Sequence, residues 1–572
     1  MYETSAIFKR ISEDKSSREI AYFTMEVALE NDIPSYSGGL GVLAGDTLRS
    51  AADLGIPMVG VTLLHQYGYF HQGLDPEGNQ IENEVRWYPE LKLTQLTNYI
   101  ELKIQDRKVR VGVWEYDIVG KYGYVVPVYF LDVNLPENAP QDREINKHLY
   151  GGDSYTRLCQ EIILGIGGVR MLRDLGYRDI DEYHLNEGHA SLLALELIRE
   201  SGYDSYDKVR RHCIFTTHTP VPAGHDVFDF ELVRQVISPV YLDYLRDILG
   251  GEKPVNLTTI SLQLSRFVNG VSKKHAEVSR NMFLNPKIEA ITNGVHSATW
   301  TSESFKRVYD QYIPGWDIDP SNFARAVFIP DDEIWKAHLK AKGKLLRLVE
   351  DETGVQMDLE RLTIGFARRA TGYKRADLIF SNLERLAQIS QNKVQFIFAG
   401  KAHPKDQEGK MVIKRIFEAK EKLKGKVDIV YLENYNMALG SIITAGVDLW
   451  LNNPRRPREA SGTSGMKAAH NGVLNFSVLD GWWIEGCLEG ITGWAIGPEP
   501  NEENLINYDD NLDVEDLYNK LENIVIPTYY EQRTQWIRMM KYAIALNASY
   551  FNTHRMIKEY ALKAYNVYPL FQ

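Results

Sequence analysis

The sequence predicts an α/β protein of two Rossmann-like halves facing across a cleft and closed by C-terminal helices. Three observations carry that expectation: short apolar runs alternate with helical patterns in both halves, a charged helical run beginning at Asp331 separates the two series, and 572 residues exceed one ordinary core. In the first half, EIAYFTME and PMVGVTLLHQ read as strands around the helical DTLRSAADLG. VRVGVWEYDI and YVVPVYFLDV alternate like an antiparallel pair. A helix then runs through SYTRLCQEIILGIGGVRMLRDLG. The strand-to-loop segment IDEYHLNEGHA feeds the helical LLALELIRESG, and HCIFTTHTPV is a further strand. After DDEIWKAHLKAKGKLLRLVEDETG, the second series runs LTIGFARRA, VQFIFAGKA, VDIVYLENY, VDLWLNNP and GVLNFSVLDG. The expected division is 1–300, 301–530 and a helical 531–572 packing back on the first half, with the boundary zone between about residues 295 and 330. Such a plan places a ligand cleft at the carboxyl ends of facing strands.

Composition removes several function classes. With 65 basic against 77 acidic residues the formal charge is −12, which disfavours a nucleic-acid partner. The three cysteines, Cys159, Cys213 and Cys487, form no CxxC pair, so neither a disulfide framework nor a thiolate zinc site is expected. The opening MYETSAIFKRISEDKSSRE lacks a signal-peptide core, and no segment of membrane-spanning length is free of charge. A cytoplasmic protein without a membrane partner is the expectation.

Two stretches carry chemistry. FARRATGYKR follows an apolar strand and precedes a helical pattern, so helix-terminal amides and the cations Arg368, Arg369, Lys374 and Arg375 suit an anion. A solvated basic turn would look the same in isolation. EASGTSGMKAAHNG places Gly462 and Gly465 among hydroxyl donors ahead of a helix start, a second anion cradle without the order of a Walker loop. Lys467 lies between Met466 and Ala468. That apolar setting lowers an amine's pKa and suits imine chemistry, but a lysine that merely contacts phosphate fits the residues equally.

Together these stretches resemble the glycogen/starch (α-glucan) phosphorylase family, whose two Rossmann-like domains form the GT-B arrangement. EASGTSGMK resembles its pyridoxal phosphate signature, FARRATGYKR its phosphate loop, and LENY, TNGVHSATW, SGGLGVLAGD and TTHTPV further pocket elements. The likeness spans residues 38 to 467. It implies α-1,4-glucan phosphorolysis by inorganic phosphate, giving α-D-glucose 1-phosphate with retention. Lys467 would hold pyridoxal 5′-phosphate, with Arg368 in a position the family usually fills with lysine, and Tyr435, Trp300, Gly39 and Thr463 around it. Arg369 and Lys374 would hold the substrate phosphate beside Gly38 and Gly39, and His218 would stand at the reacting sugar. Glu459, Ala460, Ser461, Gly462, Asn293, Glu187 and His189 would bind glucosyl hydroxyls. Partners implied are glycogen, starch or maltodextrin, phosphate, glucose 1-phosphate and a second copy of the chain in a homodimer. Two phosphates brought to about 5 Å repel by roughly 3 kcal/mol at an effective dielectric of about 20, so nearby cations and shared protons must offset them. No protein carboxylate dyad of glycosidase type is then required.

Other signals have plainer readings. His184, Glu187 and His189 in HLNEGH are not in the helical H-E-x-x-H order, so no metal is expected there. GLGVLAG follows the broken NDIPSYSG rather than a strand, which weakens a dinucleotide site. Trp482 and Trp483 fit a buried pair as well as a sugar platform. Glu459 and Lys467 form E-x7-K where a retaining, sugar-nucleotide-dependent synthase has E-x7-E, which disfavours that alternative. A non-catalytic glucan-binding protein is the alternative of another class.

Overall fold

The computed structural model describes residues 14–202, 205–284, 287–500 and 508–571. The opening residues 1–13, read above for a leader, lie outside the described residues. Strands β1 (Ile20–Thr24), β2 (Met58–Leu63), β3 (His71–Leu74), β4 (Gln80–Asn83), β5 (Thr94–Ile104), β6 (Arg107–Val119) and β7 (Val125–Asp132) open the chain. β8 (Glu182–Asn186), β9 (Cys213–Thr216), β10 (Val227–Phe228), β11 (Val255–Asn256), β12 (Phe267–Gly270) and β13 (Glu289–Ala290) follow. Among the described residues, nine of these strands form one sheet in the order β13-β12-β9-β8-β1-β2-β7-β6-β5. Pairing is parallel from β13 to β7, and β6 and β5 continue it antiparallel. β1, β2 and β8 are buried throughout, as strands covered on both faces must be.

The second sheet holds β14 (Leu362–Ala367), β15 (Val394–Ala399), β16 (Asp428–Leu432), β17 (Leu449–Asn452), β18 (Leu474–Val478) and β19 (Gly493–Ile496). Its order is β16-β15-β14-β17-β18-β19, all parallel, which is the doubly wound 3-2-1-4-5-6 arrangement. The expected α/β fold of two facing Rossmann-like sheets is the one found.

Each sheet has a point where the strand order reverses. In the first it lies between β1 and β8, in the second between β14 and β17. The loops leaving those four strands carry much of the site, because neighbouring crossovers that run to opposite faces leave a crevice between them. Helix α1 (Gly39–Leu54) follows β1 and stops at Gly55, whose φ of +64° is left-handed. Helix α2 (Asp331–Thr353) begins with Asp331, Asp332 and Glu333, which favour its N-terminal dipole, and ends at Gly354. Helix α3 (Ser464–Ala469) carries Lys467, and helix α4 (Thr553–Tyr560) is capped by the Asn552 side chain.

The closing segment divides, in part against expectation. Trp536, Met540 and Ile544 join the core of the second sheet, whereas Met556, Ile557 and Tyr560 on α4 join the core around α1 in the first. The chain therefore crosses between sheets twice, once in residues 293–330 and again near Phe551. Trp482 and Trp483 are 1% and 0% exposed and pack with Phe551 and Trp300, so they are core and not a sugar platform. His184 is also internal, bonded to Tyr565 and Thr216.

Candidate active site

Between the two reversal points lies a cavity of about 570 Å³. Every site residue implied by the resemblance lines it: Lys467, Arg368, Arg369, Lys374, His218, Tyr435, Trp300, Gly38, Gly39, Thr463, Asn293, Glu459, Ala460, Ser461, Gly462, Glu187 and His189. Arg375, the fourth cation of the basic loop, is not in that lining and pairs instead with Asp510 and Asp513. Local chain physics explains how each wall is presented.

The wall from the second sheet begins where β14 ends at Ala367. Arg368 and Arg369 follow directly, and Lys374 closes a single 3-10 turn. Arg368 donates to Ser464 Oγ at 2.8 Å and approaches Glu459 Oε2 at 3.3 Å. Lys374 donates to the same Glu459 oxygen. Glu459 thus sits between two cations, and its own backbone N–H donates to Asp480 Oδ2 at 2.8 Å. Burial and the neighbouring Glu459 push the Asp480 carboxyl up to about 7. Gly462 holds φ at +89°, and a Cβ there would press on Glu459 Cγ at 3.2 Å, so the turn requires glycine.

Lys467 is buried on α3, one turn after Thr463. Its ammonium lies 3.5 Å from the centre of the Trp300 ring, and burial lowers its pKa to about 8 despite Asp46 nearby. Asp46 Oδ2 accepts from Trp300 Nε1 at 2.7 Å and from the His296 N–H at 3.1 Å, locking that segment onto α1. Tyr435, after β16, is half-buried, and desolvation pushes its hydroxyl up to about 12.

The first sheet supplies the opposite wall. After β1, Glu26 Oε2 accepts the N–H groups of Ser37 and Gly38 at 2.5 and 3.2 Å, and Oε1 accepts Tyr150 OH at 3.0 Å. This carboxylate shapes the glycine loop at the start of α1. Arg369 crosses the cleft to donate to Ser37 Oγ at 3.0 Å. After β8, Glu187 receives the His218 N–H at 2.8 Å and Thr219 Oγ1 at 2.9 Å, while His218 Nε2 meets Asn186 Oδ1 at 2.7 Å. Burial pulls the His218 imidazole down to about 3. His189 behaves oppositely: burial and Arg157 lower its pKa, but Asp226 and Glu161 prevail and hold it at about 9.

The residues fit a phosphate-bearing aldehyde cofactor. Lys467 presents a buried amine, while Arg368 Nε and Ser461 Oγ are buried without hydrogen-bond partners. A Cβ on Gly39 would meet nothing within 4 Å, so the loop backbone lies open to the cavity. Sequence reasoning missed Glu26, Tyr150, Arg157, Asp226, Lys401 and His403, which line the same cavity. Glu26 had a signal, an acid just beyond the largely apolar strand IAYFT; the others act through partners distant in sequence.

The carbohydrate phosphorylase family profile matches residues 241–489. Maltodextrin phosphorylase of Thermococcus litoralis is 42% identical, over 96% of this chain and 71% of its own. Glycogen phosphorylase of Aquifex aeolicus is 38% identical, over 97% and 87%. An uncharacterized protein of Methanocaldococcus jannaschii, MJ1631, is 33% identical over 95% of this chain and 99% of its own.

Proposed function

The chain belongs to the carbohydrate phosphorylase family, and from that premise we propose that it is an α-1,4-glucan phosphorylase. It moves the terminal glucosyl unit of a glucan or maltodextrin onto inorganic phosphate and releases α-D-glucose 1-phosphate with retention. The observation carrying this reading is that Lys467, Arg369, Lys374 and the glycine loop line one cavity with Glu459 and Asn293. Lys467 is the anchor for pyridoxal 5′-phosphate, with Arg368, Tyr435, Trp300, Gly39 and Thr463 around it. Bound there, that group supplies a phosphate able to exchange a proton with inorganic phosphate.

The chain's own residues do the rest. Arg369 and Lys374, with the amides of Gly38 and Gly39, hold inorganic phosphate against the anomeric carbon, on the face the leaving oxygen departs from. Those cations offset the charge that would otherwise keep the phosphate out. Glu459, Ala460, Ser461 and Gly462 hold glucosyl hydroxyls from one wall, and Asn293, Glu187 and His189 from the other. His218, neutral at neutral pH, orients the sugar through hydrogen bonds rather than by giving up charge. Lys467 occupies the position where a sugar-nucleotide synthase has glutamate, so that alternative finds no support here.

The test is glucose 1-phosphate release from maltoheptaose by cofactor-loaded protein, with and without inorganic phosphate. Phosphate-dependent release is expected. A folded, loaded protein giving none would reject the activity.

A further inference from the structure

Three ligand-type atoms meet away from the cavity, where the two crossings between sheets come together. Asp53 stands near the end of α1, His296 in the first crossing segment and His554 on α4 just after the second. Asp53 Oδ2 lies 2.9 Å from His296 Nε2 and 3.7 Å from His554 Nε2. All three atoms fall within 4.8 Å of one another. Both imidazoles are buried, at 6% and 2% exposure, and stack at 5.8 Å. His554 Nε2 is buried and has no hydrogen-bond partner, since 3.7 Å is too long for one.

We propose that Asp53, His296 and His554 form a zinc site that joins both crossing segments to α1. Zinc bonds of about 2.0–2.2 Å place tetrahedral donors roughly 3.3 Å apart, a spacing these atoms reach with small side-chain adjustments. Each ligand is already aimed from behind, as metal ligands require. His296 Nδ1 is 2.7 Å from Thr299 Oγ1, His554 Nδ1 is 3.4 Å from Ser50 Oγ, and the other Asp53 oxygen accepts the Lys121 N–H at 2.9 Å. These contacts leave both Nε2 atoms and Oδ2 pointing at one another. Beside the cluster, in a narrow cleft lined by Asp53, Lys121, Asp317 and His554, Lys121 pairs its ammonium with Asp317.

A second His-carboxylate group among the described residues serves as a contrast. Around Glu161, His189 and Asp226, Arg157 Nη2 is already 3.0 Å from both His189 Nδ1 and Asp226 Oδ2, so a guanidinium supplies the cation there.

The experiment is equilibrium dialysis of chelator-treated, cofactor-loaded full-length protein against zinc chloride, with cobalt chloride in parallel for its visible tetrahedral absorption. One saturable equivalent of zinc per chain is expected, with a tetrahedral cobalt spectrum and a higher melting temperature when loaded. His554→Gln and Asp53→Asn should each lose the equivalent, and Glu161→Gln should keep it. If Asp53→Asn does not fold, His554→Gln decides alone, because its Nε2 has no hydrogen bond to lose. Absence of saturable binding in the wild type, or binding that survives His554→Gln, would overturn the assignment.

Discussion

Lys467 and Arg369 show how one residue's surroundings set what it can do. Burial draws the Lys467 amine to about 8, well below an ordinary lysine. Its neutral form, the one able to capture an aldehyde, therefore becomes dominant above about pH 8 and not above the usual 10.5. Cofactor uptake by the stripped protein should rise with pH through about 8 and then level off. Stopped-flow absorbance measures this, and a rate still climbing in proportion to hydroxide at pH 10 would contradict the shift. Lys467→Ala should retain no cofactor through gel filtration and show no turnover. Arg369 differs from its neighbours because Lys374 and Arg368 share the Glu459 carboxylate, while the Arg369 bond across the cleft goes to the neutral Ser37 hydroxyl. Removing a charge-assisted contact costs about 1.5–3 kcal/mol, roughly 10- to 100-fold. Arg369→Ala should raise the KM for phosphate by that factor while glucan KM changes little, and an unchanged phosphate KM would remove it from the site.

At the scale of elements, helix α1 matters because its N-terminus is the glycine loop and its far end holds Asp53. It packs so closely on the strand-to-loop turn after β1 that a Cβ on Gly45 would lie 2.0 Å from the Ala28 carbonyl oxygen. Backbone on both sides cannot yield, so Gly45→Ala should cost at least about 1–3 kcal/mol by denaturant unfolding and displace the glycine loop. Wild-type stability would show that the helix can shift. The existence of these elements was legible in the sequence. LTIGFA reads as a strand because six apolar or small residues precede Arg368, and the run after Asp331 reads as a helix because acids open it and Gly354 ends it. Order across the sheets was not legible, since parallel neighbours such as β14 and β17 are separated by two other strands in sequence. The candidate site was legible where motif residues cluster locally, as from Glu459 to Lys467. It was illegible where a side chain works at long range: Glu26 meets Tyr150 across 124 positions, and Arg157 meets Asp226 across 69.

For the whole molecule, the decisive arrangement is that one half builds the other half's wall. Hairpin β3–β4 extends from the first sheet's side to the turn after β15, which carries Lys401 and His403 into the cavity. Gln72 is fully buried at that contact. Its amide donates to the Gly400 carbonyl at 2.8 Å, its carbonyl accepts the Asn434 N–H at 3.0 Å, and its own N–H reaches Asn434 Oδ1 at 3.3 Å. Gln80 adds two bonds to the main chain of Ala402, and Lys401 Nζ donates to the Phe70 carbonyl at 2.7 Å. Each sheet keeps its own core, so cutting this bridge should loosen the cleft without unfolding either half. Gln72→Ala leaves the Asn434 N–H without its partner, a cost of about 1–3 kcal/mol, and removes one of the two donors to the Gly400 carbonyl, which keeps the Tyr431 hydroxyl at 2.7 Å. Cofactor retention should stay at the wild-type level, because Lys467, Trp300 and Asp46 are untouched, while kcat/KM for phosphorolysis falls about 10-fold or more. Small-angle scattering on the same sample should show a larger radius of gyration. Lost cofactor with unchanged scattering would place the damage inside the second half instead, and wild-type kcat/KM would show that the hairpin contributes nothing to the cleft.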